Sequence, residues 1–130
     1  NKVFFQRWAQ RRSITLNVHA PNAAGKFPFP RVDLLVLSAG EDGHVASLFP
    51  KSAHLNDKTW NYLEVKNAPK PPPARWTISP EILRQSATNL IFFLGPEKQQ
   101  ALKLALDPQI KAEEYPIKMA MESQNPKQIL

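Results

Sequence analysis

From Val32 to Leu37 the chain reads Val-Asp-Leu-Leu-Val-Leu, a nearly unbroken run of apolar and largely branched side chains. Its length and branching suit a strand buried on both faces, the kind found in parallel sheets. The run stops at Ser38-Ala39-Gly40-Glu41-Asp42-Gly43, where two glycines can take positive φ and an aspartate can bond to nearby backbone N–H groups. A tight, shaped turn is therefore expected. His44 follows at once. In an open parallel sheet, ligands collect beyond the carboxyl ends of the strands, so this histidine stands where such folds carry their chemistry.

The flanking segments fit an α/β reading. Residues 2–12 place Phe4, Phe5, Trp8 and Ala9 on one side of an amphipathic helix that ends near Ser13 with basic residues in its last turn. Ile14 to Val18 alternates apolar and polar, as a half-buried strand does, before a proline-rich loop from Pro21 to Pro30. Lys51 to Lys58 is polar and reads as loop, and Trp60 to Val65 as a short strand. Ser79-Pro80-Glu81 combines an N-cap, a proline at the first helical position and an acid favourable to the helix dipole, so a helix is expected from there to about Ala87. Asn89 to Leu94 is a second buried-strand run closed by Gly95-Pro96. Ala101, Leu102, Ala105 and Leu106 then mark one helix face that Asp107-Pro108 terminates. Strand, helix, strand, helix implies parallel pairing. Ile117 to Met121 fits either a strand or one turn of helix.

Composition narrows the function classes. A chain of 130 residues is at most one domain. Its net charge of +6 favours anionic partners, with sugar phosphates, nucleic acid and acidic membrane surfaces all equally served by that sign. The absence of cysteine excludes disulfides and thiolate metal sites and agrees with a reducing compartment. No apolar run approaches the ~20 residues of a membrane span, and no signal-peptide core is present, so a soluble, cytoplasmic protein without a membrane partner is expected. Thirteen prolines against four glycines point to stiffened loops.

Among candidate site residues, His44 leads, since an imidazole with an ordinary pKa near 6.5 can take a proton from water at physiological pH. Its bland counterpart is a histidine that only bonds to the turn. Asp42 suits either shaping the turn or orienting the imidazole. Ser47 lies three residues on, but Val-Ala-Ser-Leu-Phe is not the G-x-S-x-G of a nucleophile elbow, and a structural hydroxyl is the better reading. His19, His44 and His54 lack metal-ligand spacing, so no metal is expected. Lys70 and Arg75 flank Pro71-Pro72-Pro73; an extended polyproline conformation would set them about 15 Å apart, and convergence on one phosphate would need a bend at Ala74. Trp76 and Thr77 read as packing.

Gly40-Glu41-Asp42-Gly43-His44-Val45-Ala46-Ser47-Leu48-Phe49-Pro50 resembles the G-x-D-G-H-x-A-S-L-F-P signature of the 6-phosphogluconolactonases, within the wider glucosamine-6-phosphate isomerase/6-phosphogluconolactonase family. Lys70 to Ser79 resembles that family's K-P-P-x-x-R-x-T segment, in order and at the expected distance. The resemblance implies a three-layer, Rossmann-like parallel α/β fold. It also implies cofactor-free hydrolysis of 6-phospho-D-glucono-1,5-lactone, with His44 as the general base acting on water. It places Lys70 and Arg75 at the sugar phosphate, together with Gly40, Asp42 and Gly43 of the turn, whose backbone N–H groups are expected to face the developing oxyanion. The isomerase branch follows D-G-H with I-A-F-N-E-P, and the glutamate is missing here. From a different class comes a basic polyanion-binding module, supported only by the charge and by Arg7, Arg11 and Arg12, with no paired-aromatic RNA motif. The family's first strand, its glycine-rich turn and an acidic-arginine pair have no match. Residues 1–130 are therefore expected to be the C-terminal portion of such a domain, incomplete at its N-terminal side. The short passage from Val18 to Phe29, with Pro21 to Lys26 at its centre, stands where the family has a longer helical connection. An open sheet edge prone to self-association should result.

Overall fold

The computed structural model describes residues 19–21, 24–122 and 127–129. The helix expected over 2–12, the strand over 14–18 and the arginines at 7, 11 and 12 lie outside the described residues. Eight elements follow in order: β1 (Leu35–Ser38), β2 (Tyr62–Val65), β3 (Arg75–Ile78), α1 (Pro80–Gln85), β4 (Asn89–Phe92), α2 (Gln99–Leu106), α3 (Ile117–Met121) and β5 (Lys127–Ile129). Short 3₁₀ turns occupy Ala53–Asn56 and Pro96–Lys98.

β1, β4 and β5 form a parallel sheet in the order β1-β4-β5, with Leu37 beside Ile91 and Ile91 beside Ile129. Two parallel neighbours joined through intervening helices make this an α/β fold, as expected. β2 and β3 pair separately as an antiparallel ribbon, Leu63 opposite Thr77. The core gathers Leu37 and Ile91 from the sheet, Leu83 from α1, Ala105 from α2, and Ile117, Met119 and Ala120 from α3. Burial of β1 on both faces is not observed. Leu37 is buried while Leu34 and Val36 are 53% and 62% exposed, because strand side chains alternate between faces and the helices that share the core with Leu37 cover one of them.

Helix ends follow their local chemistry. The Ser79 side chain accepts from the Ile82 N–H and Pro80 begins α1, as the sequence predicts, although the helix stops at Gln85 with Ser86 as its C-cap. At the far end of α2, the buried Lys118 ammonium donates to the Ala105 and Asp107 carbonyls at 2.9 and 2.8 Å, placing a cation where a helix C-terminus favours one.

One buried polar knot joins three elements. Asn89 Nδ2 donates to the Leu83 carbonyl of α1 (3.0 Å) and the Ala120 carbonyl of α3 (2.9 Å), and its Oδ1 accepts from Ser86 Oγ at 2.6 Å. Asn89→Ala would take the side-chain donor from the buried Ala120 carbonyl and leave a cavity between the three elements, while Ser86 Oγ still donates to the Leu83 carbonyl (3.2 Å). We expect it to lower stability by about 2–3 kcal/mol, read as a lower urea midpoint at unchanged m-value.

Candidate active site

β1 delivers the chain to a turn at the carboxyl edge of the sheet. Ala39 pairs with Val45, the Gly40 N–H donates to the His44 carbonyl (2.8 Å), and the Gly43 N–H donates to the Gly40 carbonyl (3.0 Å). These bonds close the loop on itself. They also engage the N–H groups of Gly40 and Gly43 inside the turn, so those two do not face the cleft as donors for an oxyanion.

Both glycines are required by geometry. A Cβ on Gly40 would lie 2.1 Å from His44 Nδ1 and 2.7 Å from Asp42 Oδ1, so the imidazole occupies the space that any side chain would take. Gly43 has φ +76°, and a Cβ there would come within 2.3 Å of the Tyr115 ring. Tyr115, from the segment before α3, also donates its hydroxyl to the Glu41 carbonyl (3.0 Å), and the Ile117 N–H donates to the Gly43 carbonyl (2.9 Å). The turn is thus clamped from a segment some seventy residues away. Burial, then the nearby Asp42 charge, raises the Tyr115 phenol above its ordinary pKa, so it remains a neutral donor.

His44 Nδ1 lies 2.6 Å from Asp42 Oδ1, and Lys70 Nζ donates to that same oxygen at 3.0 Å. Burial alone would raise the Asp42 pKa, but the hydrogen bonds from His44 and Lys70 outweigh it and hold the carboxyl below its ordinary value. An ionised carboxylate only accepts, so Nδ1 carries a proton, and in the neutral imidazole Nε2 is the nitrogen with the free lone pair. Asp42 thus contacts the imidazole directly, while a backbone hydrogen bond also ties its carboxyl to the turn. The His44 ring packs on Phe49 at 4.7 Å between centroids, with the Arg75 guanidinium carbon 5.6 Å from the Phe49 centroid.

A cleft of about 360 Å³ opens here, lined by Ser38, Ala39, Gly40, Glu41, His44, Lys70 and Lys98. Lys70 reaches it from a proline loop that is not extended: the Ala68 N–H donates to the Pro73 carbonyl and the Pro71–Pro72 peptide is cis. Arg75 is absent from the cleft wall. Its Nε donates to the Pro72 carbonyl (2.7 Å), and one Nη donates to the Lys70 carbonyl (2.7 Å) and to that of Pro71. The guanidinium therefore ties together the loop that presents Lys70. Ser47 is buried, its N–H donating to Thr77 Oγ1 at 3.1 Å, and the half-buried His54 ring contacts Ser52 Oγ and the Glu64 carbonyl.

Lys98, Phe49 and Tyr115 were not singled out from the sequence. Lys98 Nζ donates to the Ala39 carbonyl at 2.8 Å. Its signal was available: Gly95-Pro96 ends β4, β4 neighbours β1 in a parallel sheet, and the loops after both strands share one edge. Tyr115 lies in a segment with no periodicity to flag it.

A family model described as glucosamine-6-phosphate isomerases/6-phosphogluconolactonase matches residues 6–129. Over 94 residues the chain is 37% identical to "Probable 6-phosphogluconolactonase 4, chloroplastic" of Oryza sativa, covering 72% of this chain and 29% of that protein. It is 29% identical to the 6-phosphogluconolactonase of Borreliella burgdorferi, covering 96% of this chain and 60% of that one. Among solved structures, a 6-phosphogluconolactonase from Shewanella baltica superimposes with a TM-score of 0.67 at 27% identity, over 78% of this chain and 45% of that one. The enzyme from Leishmania guyanensis shares the fold at a TM-score of 0.65 and 20% identity, over 96% and 48%. The chain spans less than two thirds of the length of each. With a family model matched along nearly its whole length, the chain belongs to the glucosamine-6-phosphate isomerase/6-phosphogluconolactonase family.

Proposed function

We propose that the protein hydrolyses 6-phospho-D-glucono-1,5-lactone to 6-phosphogluconate, with His44 as general base. The observation that carries this is the Asp42–His44 pair at the carboxyl edge of β1, facing a cleft that also receives two ammonium groups, Lys70 and Lys98. The relatives compared above are named as lactonases of this kind. In this reading His44 Nε2 takes a proton from the water that attacks the lactone carbonyl, Asp42 stabilises the imidazolium that forms, and the tetrahedral carbon then expels the ring oxygen, to which His44 returns the proton. Lys70 and Lys98 face the substrate's negative charge, while Arg75 acts one step removed, by fixing the loop of Lys70. No step calls for a cofactor.

The exposure of Leu34 and Val36, and the share of its relatives that the chain spans, support reading residues 1–130 as the C-terminal portion of a larger lactonase-like α/β domain. No helix among the described residues is long and apolar enough to cross a membrane. We place the protein in the cytoplasm, a reducing compartment suited to a chain without cysteine, although the rice relative is named as chloroplastic.

The test is a lactonase assay, corrected for spontaneous ring opening, on the protein and its Lys70→Ala variant. A cation on a remote phosphate is engaged in ground and transition states alike. Losing a charged hydrogen bond worth about 1.5–3 kcal/mol should raise KM for the phosphorylated lactone by roughly 10- to 150-fold. The unphosphorylated lactone, which offers nothing to that cation, should lose far less binding. Equal losses on both substrates would assign Lys70 to the fold, and no hydrolysis above background by the parent protein would reject the lactonase reading.

A further inference from the structure

Asp42 Oδ1 serves two partners at once, His44 Nδ1 at 2.6 Å and Lys70 Nζ at 3.0 Å. A carboxylate strengthens an imidazole base by stabilising its protonated form, and it does so through its negative charge. An ammonium held on the same oxygen cancels much of that charge and adds its own repulsion. His44 is therefore a weaker base while Lys70 sits on Asp42 than it would be beside Asp42 alone. Lys70 is also a wall of the cleft, and its side chain is 45% exposed, so a dianion entering the cleft competes directly with Asp42 for it.

We propose that Lys70 makes the strength of the base depend on occupancy of the cleft: a phosphate draws the ammonium away from Asp42, and the released carboxylate then supports proton uptake by His44. Lys70 thereby becomes a positioning residue that discriminates phosphorylated from unphosphorylated lactones in turnover as well as in binding. The discrimination rests on the lactonase reading; the coupling between Lys70, Asp42 and His44 does not.

Among the described residues, the other charged and titratable groups around the imidazole are Glu41 on its own turn, Lys98 from the turn after β4, Arg75 across the Phe49 ring, and Tyr115 behind Gly43. None of these donates to Asp42 Oδ1 as Lys70 does. Removing Lys70 should therefore change His44 in a way that depends on Asp42.

The experiment is an NMR titration of the His44 ring protons in the protein, in Lys70→Ala, in Asp42→Asn and in the double variant. Half-protonation of the ring should fall about 0.5–1 pH unit higher in Lys70→Ala than in the parent, the size expected of one partly screened charge at this range. In the Asp42→Asn background the same replacement should have a much smaller effect, since nothing then holds the ammonium beside the ring. Sulfate, a dianion that does not titrate in this range, should raise the midpoint in the parent protein. An unchanged midpoint in Lys70→Ala, or an equal rise in both backgrounds, would overturn the coupling. In turnover, Lys70→Ala should hydrolyse the unphosphorylated lactone about two- to threefold faster at pH 8, as a stronger base predicts. A slower variant would overturn the discrimination. If no lactone is hydrolysed by any form, the lactonase reading fails while the titration still decides the coupling.

Discussion

His44→Ala should lower kcat for the phosphorylated lactone by about 10²- to 10⁴-fold, the usual worth of a positioned general base, with little change in KM. The cut is confined to turnover because the imidazole acts on water and not on the phosphate that anchors the substrate. The His44 ring lies against Phe49 and fills the space beside Gly40 at the edge of the cleft, so the gap left by its removal opens to solvent and not into the core. Stability should therefore hold, and a parallel urea titration separates lost chemistry from lost fold. Near-parental kcat in a folded variant would make His44 a residue of the turn only.

Gly40→Ala should be almost as damaging without touching a functional group. The added methyl would stand 2.1 Å from Nδ1 and 2.7 Å from the Asp42 oxygen that orients it, and nothing short of moving the ring or the turn relieves that contact. A displacement of about 1 Å at a reacting group costs on the order of 10²-fold in rate, so kcat should fall by about that factor. Unlike Gly43, Gly40 does not have positive φ, so the backbone itself accepts alanine and the variant should fold. A crystal structure of the variant would show the imidazole turned away from Asp42. An unmoved ring with parental kcat would mean that the turn has slack that the close approach does not suggest.

The parts of the fold visible in the sequence are those fixed locally. The Ser79-Pro80 start of α1, the end of α2 at Asp107-Pro108 and the position of β4 all depend on neighbouring residues, and each is observed close to its expected place. β3 was hidden because Arg75-Trp76-Thr77-Ile78 follows three prolines and earns its strand geometry by pairing with Tyr62–Val65, a partner that no local window contains. The 3₁₀ turn at Ala53–Asn56 and the strand Lys127–Ile129 were likewise unread; the first hangs on a Ser52 cap in a polar stretch, the second on its pairing with β4. At the site, the motif pointed to His44, Asp42 and Lys70 because a glycine-rich turn after a buried strand carries its own signal. The charge of Arg75 was legible but its partners were not: three backbone carbonyls of a folded-back loop, which only the tertiary path creates, engage it.

The clamp on the motif turn has a consequence for protein engineering. The Tyr115 hydroxyl on the Glu41 carbonyl and the Ile117 N–H on the Gly43 carbonyl mean that the eleven residues Gly40 to Pro50 do not encode their own shape. Transplanted behind a parallel strand of some other α/β scaffold, they would carry the histidine and the aspartate but not the floor beneath them. A graft that is to work must bring an aromatic ring to lie under the second glycine and a backbone donor to meet its carbonyl, so the unit that can be moved is a pair of segments, not a loop.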